Sequence, residues 1–138
     1  MIKEKSCGAV VYRYDGEQLL ILIEKMQKGH YSMPKGHVEN GETEVQTATR
    51  EIKEETNLDV KIDTGFRKTI TFSPYENCMK DVVFFVAEYV GGDMKNQECE
   101  VSQLMWLKVT EAIEIITHDT DRDVLKAAVD YIESKAKS

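Results

Sequence analysis

Apolar and polar positions along this chain follow two periods. Residues 6–14 (SCGAVVYRY) and 18–24 (QLLILIE) run apolar over strand lengths, and the Asp15-Gly16 step between them is a strong hairpin signal. Residues 26–41 hold Gly, His, Ser and Pro without a period and read as a loop. Residues 43–56 place Val45, Ala48 and Ile52 at helical spacing, which predicts an amphipathic helix with these three on its buried stripe. Strand patterning returns over 58–72 and 79–90, joined through Ser73-Pro74-Tyr75-Glu76-Asn77, and Gly91-Gly92 ends the second run. A short strand is expected over 104–107, with Trp106 in the core. Thr110 is the expected N-cap of a helix over EAIEII, with Glu111 and Glu114 suited to its positive end. A last helix, from about Asp121 to Lys135, turns Val124, Leu125, Ala128 and Ile132 inward. Strands, helix, strands, then two helices predict an α/β fold in which helices cover both faces of a mixed sheet.

Bulk properties narrow the function. A chain of 138 residues suits one domain spanning 1–138. The start, MIKEKSCGAV, is charged and lacks the apolar centre of a secretory leader. No run approaches the roughly 18 apolar residues of a membrane span, so no membrane partner is expected. Cys7, Cys78 and Cys99 stand apart, without metal-site spacing, and read as reduced thiols of a cytoplasmic protein. A net charge of −7 argues against a nucleic-acid duplex as partner. It permits a small polyphosphate, since carboxylates can hold a divalent cation and the cation can hold phosphate. Oligomeric state leaves no mark in the sequence.

The helix over 43–56 carries Glu51, Glu54 and Glu55 despite their mutual repulsion. At about 100° per residue the three acids fan out beside the Ile52 stripe. Glu51 and Glu55 lie one turn apart, and like charges at that spacing cost a few tenths of a kcal/mol, about what Arg50 offsets in part. An acidic, solvated helix face is the simple reading. The loop before the helix adds Gly36, Gly41 and Glu42, and a loop carbonyl with helix carboxylates makes an all-oxygen site of the kind hard cations prefer.

Gly36, five residues, Glu42, seven residues and then Arg50-Glu51-Ile52-Lys53-Glu54-Glu55-Thr56-Asn57-Leu58 resemble the Nudix box. The one departure is Asn57, where the family usually has Gly; this position needs φ > 0, and Asn is the next-best residue there. The resemblance implies a Nudix-type α/β/α sandwich. It implies metal binding by Glu51, Glu54, Glu55 and the Gly36 carbonyl, with Arg50 orienting Glu51 and Glu42 bracing the loop. It further implies hydrolysis of a nucleoside diphosphate linked to another group, by water activated with Mg²⁺, for which Mn²⁺ can substitute.

Four features resemble the asymmetric dinucleoside tetraphosphatases. They are His30-Tyr31 before Met33-Pro34-Lys35-Gly36-His37-Val38, the Gly65-Phe66-Arg67-Lys68 entry to a strand, Lys80 before VVFFVAEY, and Glu100 six residues before Trp106. They imply cleavage of diadenosine tetraphosphate to ATP and AMP, with Glu100 as a further metal ligand or base. Lys35, Lys80 and His30 are candidate phosphate contacts. Tyr31, Phe72 and Tyr75 are candidate base-stacking faces. His118 is read as a surface histidine, with closure of the pocket as the alternative. Other functions compatible with the box are sanitation of oxidised nucleoside triphosphates, removal of pyrophosphate from RNA 5′ ends, and nucleotide sensing without chemistry. A structural protein with an acidic helix is the remaining alternative.

Overall fold

The computed structural model describes residues 1–137. In chain order the elements are strands β1 (Ile2–Asp15), β2 (Gln18–Met26), β3 (Tyr31–Ser32) and β4 (Lys35–His37), helix α1 (Glu44–Thr56), strands β5 (Asp59–Phe72), β6 (Cys78–Gly91) and β7 (Val101–Lys108), and helices α2 (Val109–Ile115) and α3 (Asp119–Ala136). The mixed sheet and flanking helices agree with the predicted α/β architecture. β1 and β2 form the expected hairpin, closing at Asp15↔Gln18 around Gly16 at φ 62°. The stretch read as a loop over 26–41 contains β3 and β4, which are too short to show a period.

The central path of the sheet runs β3-β2-β1-β6-β5, with β4 added to β1 and β7 to β2. β1 and β6 are parallel, from Ile2↔Cys78 to Tyr12↔Glu88, and the other pairs are antiparallel. Alternation along the central strands sorts their side chains into two layers. Cys7, Ala9, Val11, Leu22, Val83, Phe85 and Ala87 meet Ala48 and Ile52 of α1. Val10, Ile21, Ile23, Val82, Phe84 and Val86 meet Ala112 of α2 and Val124, Leu125, Ala128, Val129 and Ile132 of α3. All four residues predicted for the inner face of α3 are buried.

Three local expectations are corrected. Val45 is 36% exposed, because it lies in the first turn of α1, while Ala48 and Ile52 carry the contact with the sheet. α2 starts at Val109, so Thr110 is inside its first turn; the Lys108 backbone N–H donates to the Glu111 carboxylate at 3.0 Å and supplies the cap. Trp106 is half-buried at the sheet margin, its ring 5.7 Å from that of Tyr89 and 5.6 Å from the Arg13 guanidinium.

Candidate active site

The sheet forks. β1 pairs with β2 through its second half, Tyr12–Asp15, and with β4 through Ser6–Gly8 in its first half. Beyond the hairpin β2 therefore leaves β1 and pairs with β3 at Glu24 and Lys25, while β7 runs along its other edge from Leu20 to Met26. A cleft of about 380 Å³ lies in the gap, lined by Ser6 of β1, Glu24 and Met26 of β2, Ser32 of β3, Lys35 and Gly36 of β4, Glu51 and Glu55 of α1, Lys80 of β6, and Glu100.

Helix α1 reaches this gap in a fixed pose. Thr43 caps it by accepting from the Gln46 N–H, and the Gln46 side chain accepts from the Thr43 N–H in return. Asn57 ends it at φ 64°, the left-handed conformation expected from the sequence. Arg50 anchors the acids around it. It donates to Glu42 at 2.7 Å, to Glu51 at 2.8 Å, to Glu54 at 3.2 Å and to the His37 carbonyl at 2.9 Å. Glu42 also accepts from the Glu39 N–H and the Thr47 hydroxyl, both at 2.9 Å. These bonds, the Arg50 guanidinium foremost, hold the Glu42 carboxyl down to about 2. A Cβ on residue 36 would fall 2.0 Å from the Glu51 carboxyl carbon. Glycine at this position is what lets the carboxylate rest against the β4 backbone.

Glu24 and Glu55 form the opposite kind of arrangement. Glu24 lies in phase with Leu22 on the α1 face of β2 and is 0% exposed; Glu55 is 2% exposed on α1. Both oxygens of Glu24 and Oε2 of Glu55 are buried without a hydrogen-bond partner. Burial raises both carboxyls, and for Glu55 the charges of Glu24 and Glu51 add to the rise. A buried, unpartnered carboxylate is costly unless a cation or a proton accompanies it. Among the described residues no three acidic, His or Cys side chains converge into a preformed metal cage. Even so, oxygen donors facing one another without partners fit a divalent cation that completes its shell with phosphate and water.

A second pocket, of about 390 Å³, adjoins the cleft and shares Ser32 and Lys35 with it. Its other lining residues are His30, Ile70, Phe72, His118, Thr120 and Asp121. Phe72, at the end of β5, is 40% exposed.

The NUDIX domain model matches residues 3–128. The chain belongs to the Nudix family. It is 30% identical to the asymmetrical bis(5′-nucleosyl)-tetraphosphatase of Sus scrofa, over 96% of this chain and 97% of that protein. It is 31% identical to an 8-oxo-(d)GTP phosphatase of Mycolicibacterium smegmatis over 91% of this chain, but spans 41% of that longer protein. The crystal structure of a C. elegans Ap4A hydrolase binary complex superposes with a TM-score of 0.86 at 26% identity, covering 95% of this chain and 98% of the other. The chain is thus a Nudix hydrolase by family and fold, and Nudix hydrolases generally use divalent metal ions.

Within this Nudix fold the sequence-predicted residues separate. Lys35, Gly36, Glu51, Glu55, Lys80 and Glu100 meet in the cleft, while His30, Lys35 and Phe72 meet in the second pocket. His118 is exposed, as read, and also lines the second pocket with its ring 5.9 Å from that of His30. Glu54 stands on the outer side of α1, its side chain 46% exposed and held by Arg50, away from the cleft wall. Tyr75 is exposed in the turn before β6 and lines neither pocket. Tyr31 packs against the apolar layer on the α3 side. Sequence reasoning missed Glu24, Ser6, Ser32 and Asp121. Glu24 alone left a usable signal, as an acid at an inward position of an otherwise apolar strand.

Proposed function

We propose that this Nudix hydrolase cleaves a dinucleoside tetraphosphate asymmetrically, releasing ATP and AMP from diadenosine tetraphosphate. The observation that carries the reading is the adjacency of two unlike spaces. A cleft of unpartnered carboxylates and two lysines shares Ser32 and Lys35 with a pocket that has an exposed aromatic face. A polyphosphate bearing a base at its end has this polarity. The near-complete mutual coverage with the Sus scrofa tetraphosphatase supports the same choice over the 8-oxo-(d)GTP phosphatase.

In this reading Glu51, Glu55, Glu24, Glu100 and the Gly36 carbonyl hold Mg²⁺ or Mn²⁺. A cation bound there lowers the pKa of water and neutralises charge on phosphate oxygens. Arg50 fixes Glu51 against Gly36 and ties Glu54 to the same array. Lys35 and Lys80 face the phosphate chain; Lys80 is depressed by burial first and then by Lys35, so an anion between the two relieves their repulsion. His30 lines the second pocket, and Phe72 offers a stacking face there. The reaction is assigned to the cytoplasm.

Product analysis in Mg²⁺ and ¹⁸O-labelled water tests the assignment. Diadenosine tetraphosphate should give ATP and AMP with the label in one product. Rapid pyrophosphate release from an oxidised guanine triphosphate, with diadenosine tetraphosphate left intact, would replace the substrate and retain the site.

A further inference from the structure

Residues 92–100 lead from β6 to β7 across the end of α1, and hydrogen bonds tie them down on both flanks. On the helix side the Lys95 N–H donates to the Thr56 carbonyl at 2.9 Å and the Gln97 N–H to the Glu55 carbonyl at 3.2 Å. These are carbonyls that the end of a helix leaves without an intrahelical donor. On the strand side the Gln27 side chain donates to the Glu98 carbonyl at 2.7 Å, and the Gln27 N–H to the Glu100 carbonyl at 2.8 Å. A turn joins the flanks, with the N–H groups of Glu100 and Val101 both donating to the Gln97 carbonyl. Glu100, which lines the cleft, is therefore framed by the helix turn that bears Glu55 and by the segment that follows β2.

Asn57 fastens the start of this strap. Its side-chain amide donates to the Asp93 carbonyl at 2.9 Å. Gly92, at φ 87°, lies against the same residue, since a Cβ there would fall 2.8 Å from the Asn57 carbonyl oxygen. The left-handed backbone at position 57 asks only for a residue that tolerates it, and Gly does so with less strain than Asn. The bond to Asp93 asks for the amide, which Gly lacks. We infer that Asn57 is a positioning residue: its amide fastens the strap over residues 92–100 to the end of α1 and thereby holds Glu100 in the cleft. This role deepens the reading above and rests on it for Glu100 as a cation ligand.

Amide hydrogen exchange on the whole, metal-free chain reads the strap directly. Asn57→Gly keeps the left-handed cap, so its Tm should stay near that of wild type. Its Lys95 and Gln97 amides should exchange about fivefold faster, with the Ala9 and Val10 amides as the reference for global opening. Titration with Mn²⁺, followed by the spin resonance of the free ion, reads the consequence. Asn57→Gly should weaken Mn²⁺ binding about tenfold. In a Glu100→Gln background the same substitution should change the affinity by less than about twofold, because its effect passes through Glu100. Unchanged exchange at Lys95 and Gln97 would overturn the inference. So would a loss of affinity that persists in the Glu100→Gln background, or wild-type affinity in Asn57→Gly when Glu100→Gln alone weakens the ion. Should Glu100→Gln and Asn57→Gly both bind Mn²⁺ as wild type does while the two amides exchange faster, the reading of Glu100 as a ligand alone fails and the tether stands.

Discussion

Two groups of carboxylates share helix α1 and are treated in opposite ways. Around Arg50, Glu42, Glu51 and Glu54 all receive hydrogen bonds, and Glu39 lies at 3.6 Å. Around Glu55, across the helix, Glu24 approaches and no donor arrives for three of the four oxygens of the pair. The first group is partly exposed and shares the Arg50 guanidinium; the second is buried and left open. The contrast separates acids that hold the loop and helix in register from acids kept deficient for something the fold does not itself supply.

Neutralising one member of each group should therefore move stability in opposite directions. Glu55→Gln removes the buried repulsion, so the metal-free protein should gain about 1 kcal/mol. Its hydrolysis with saturating Mg²⁺ should fall about 10²–10³-fold. Melting curves and initial rates on the same preparation decide it. A Glu55→Gln protein that melts lower and still turns over would dissolve the contrast. Arg50→Ala should do the reverse to stability, lowering Tm by about 10 °C as carboxylates lose their shared donor. Activity should fall with it, because Glu51 loses its hold against Gly36.

Titration sharpens the same comparison. Glu42 and Glu44 are both held down to about 2, by Arg50 and by Arg67 respectively as the first cause. Their stabilisation is complete above the unfolded value near 4.5 and is lost as pH falls toward 2, so Tm should drop across that window. Glu24 and Glu55 are raised, so they act with the opposite sign. As pH climbs past 4.5 the unfolded chain releases protons that the folded pair retains, and the pair subtracts stability. The Tm gain on adding Mg²⁺ should accordingly grow from pH 5 to pH 8, since cation binding displaces those protons. A gain independent of pH would place the cation elsewhere. The smallest effect belongs to Lys80→Ala: KM for a tetraphosphate should rise about fivefold, and that for a short diphosphate less. Equal losses on both would remove Lys80 from the phosphate chain.

Legibility followed the same division. The Arg50 group is local: Arg50, Glu51 and Glu54 sit within one turn and Glu42 eight residues before Arg50, so spacing alone placed them together. Asn57 likewise announced its left-handed backbone through residue type. The Glu24–Glu55 pair depends on a strand and a helix 31 residues apart facing each other across a fork in the sheet, and no local period encodes that meeting. Ser32 and Asp121 come together in the second pocket for equally non-local reasons. Val45 shows the converse: its spacing was right, but it lies in the first turn of α1 and stays 36% exposed.

The parallel β1–β6 ladder has a consequence for how the chain is made. Its first pair, Ile2↔Cys78, joins residues 76 positions apart, and the ladder runs on to Tyr12↔Glu88. The centre of the sheet therefore has to wait during synthesis until β6 emerges. At roughly 5–20 residues per second, Ala9, Val10 and Val11 remain without their β6 partners for several seconds. Pairing over such a separation is also slow after full release, because the loop must close before any contact rewards it. The apolar run of β1, with its β6-facing edge unpaired throughout that interval, is the segment through which newly made copies would associate.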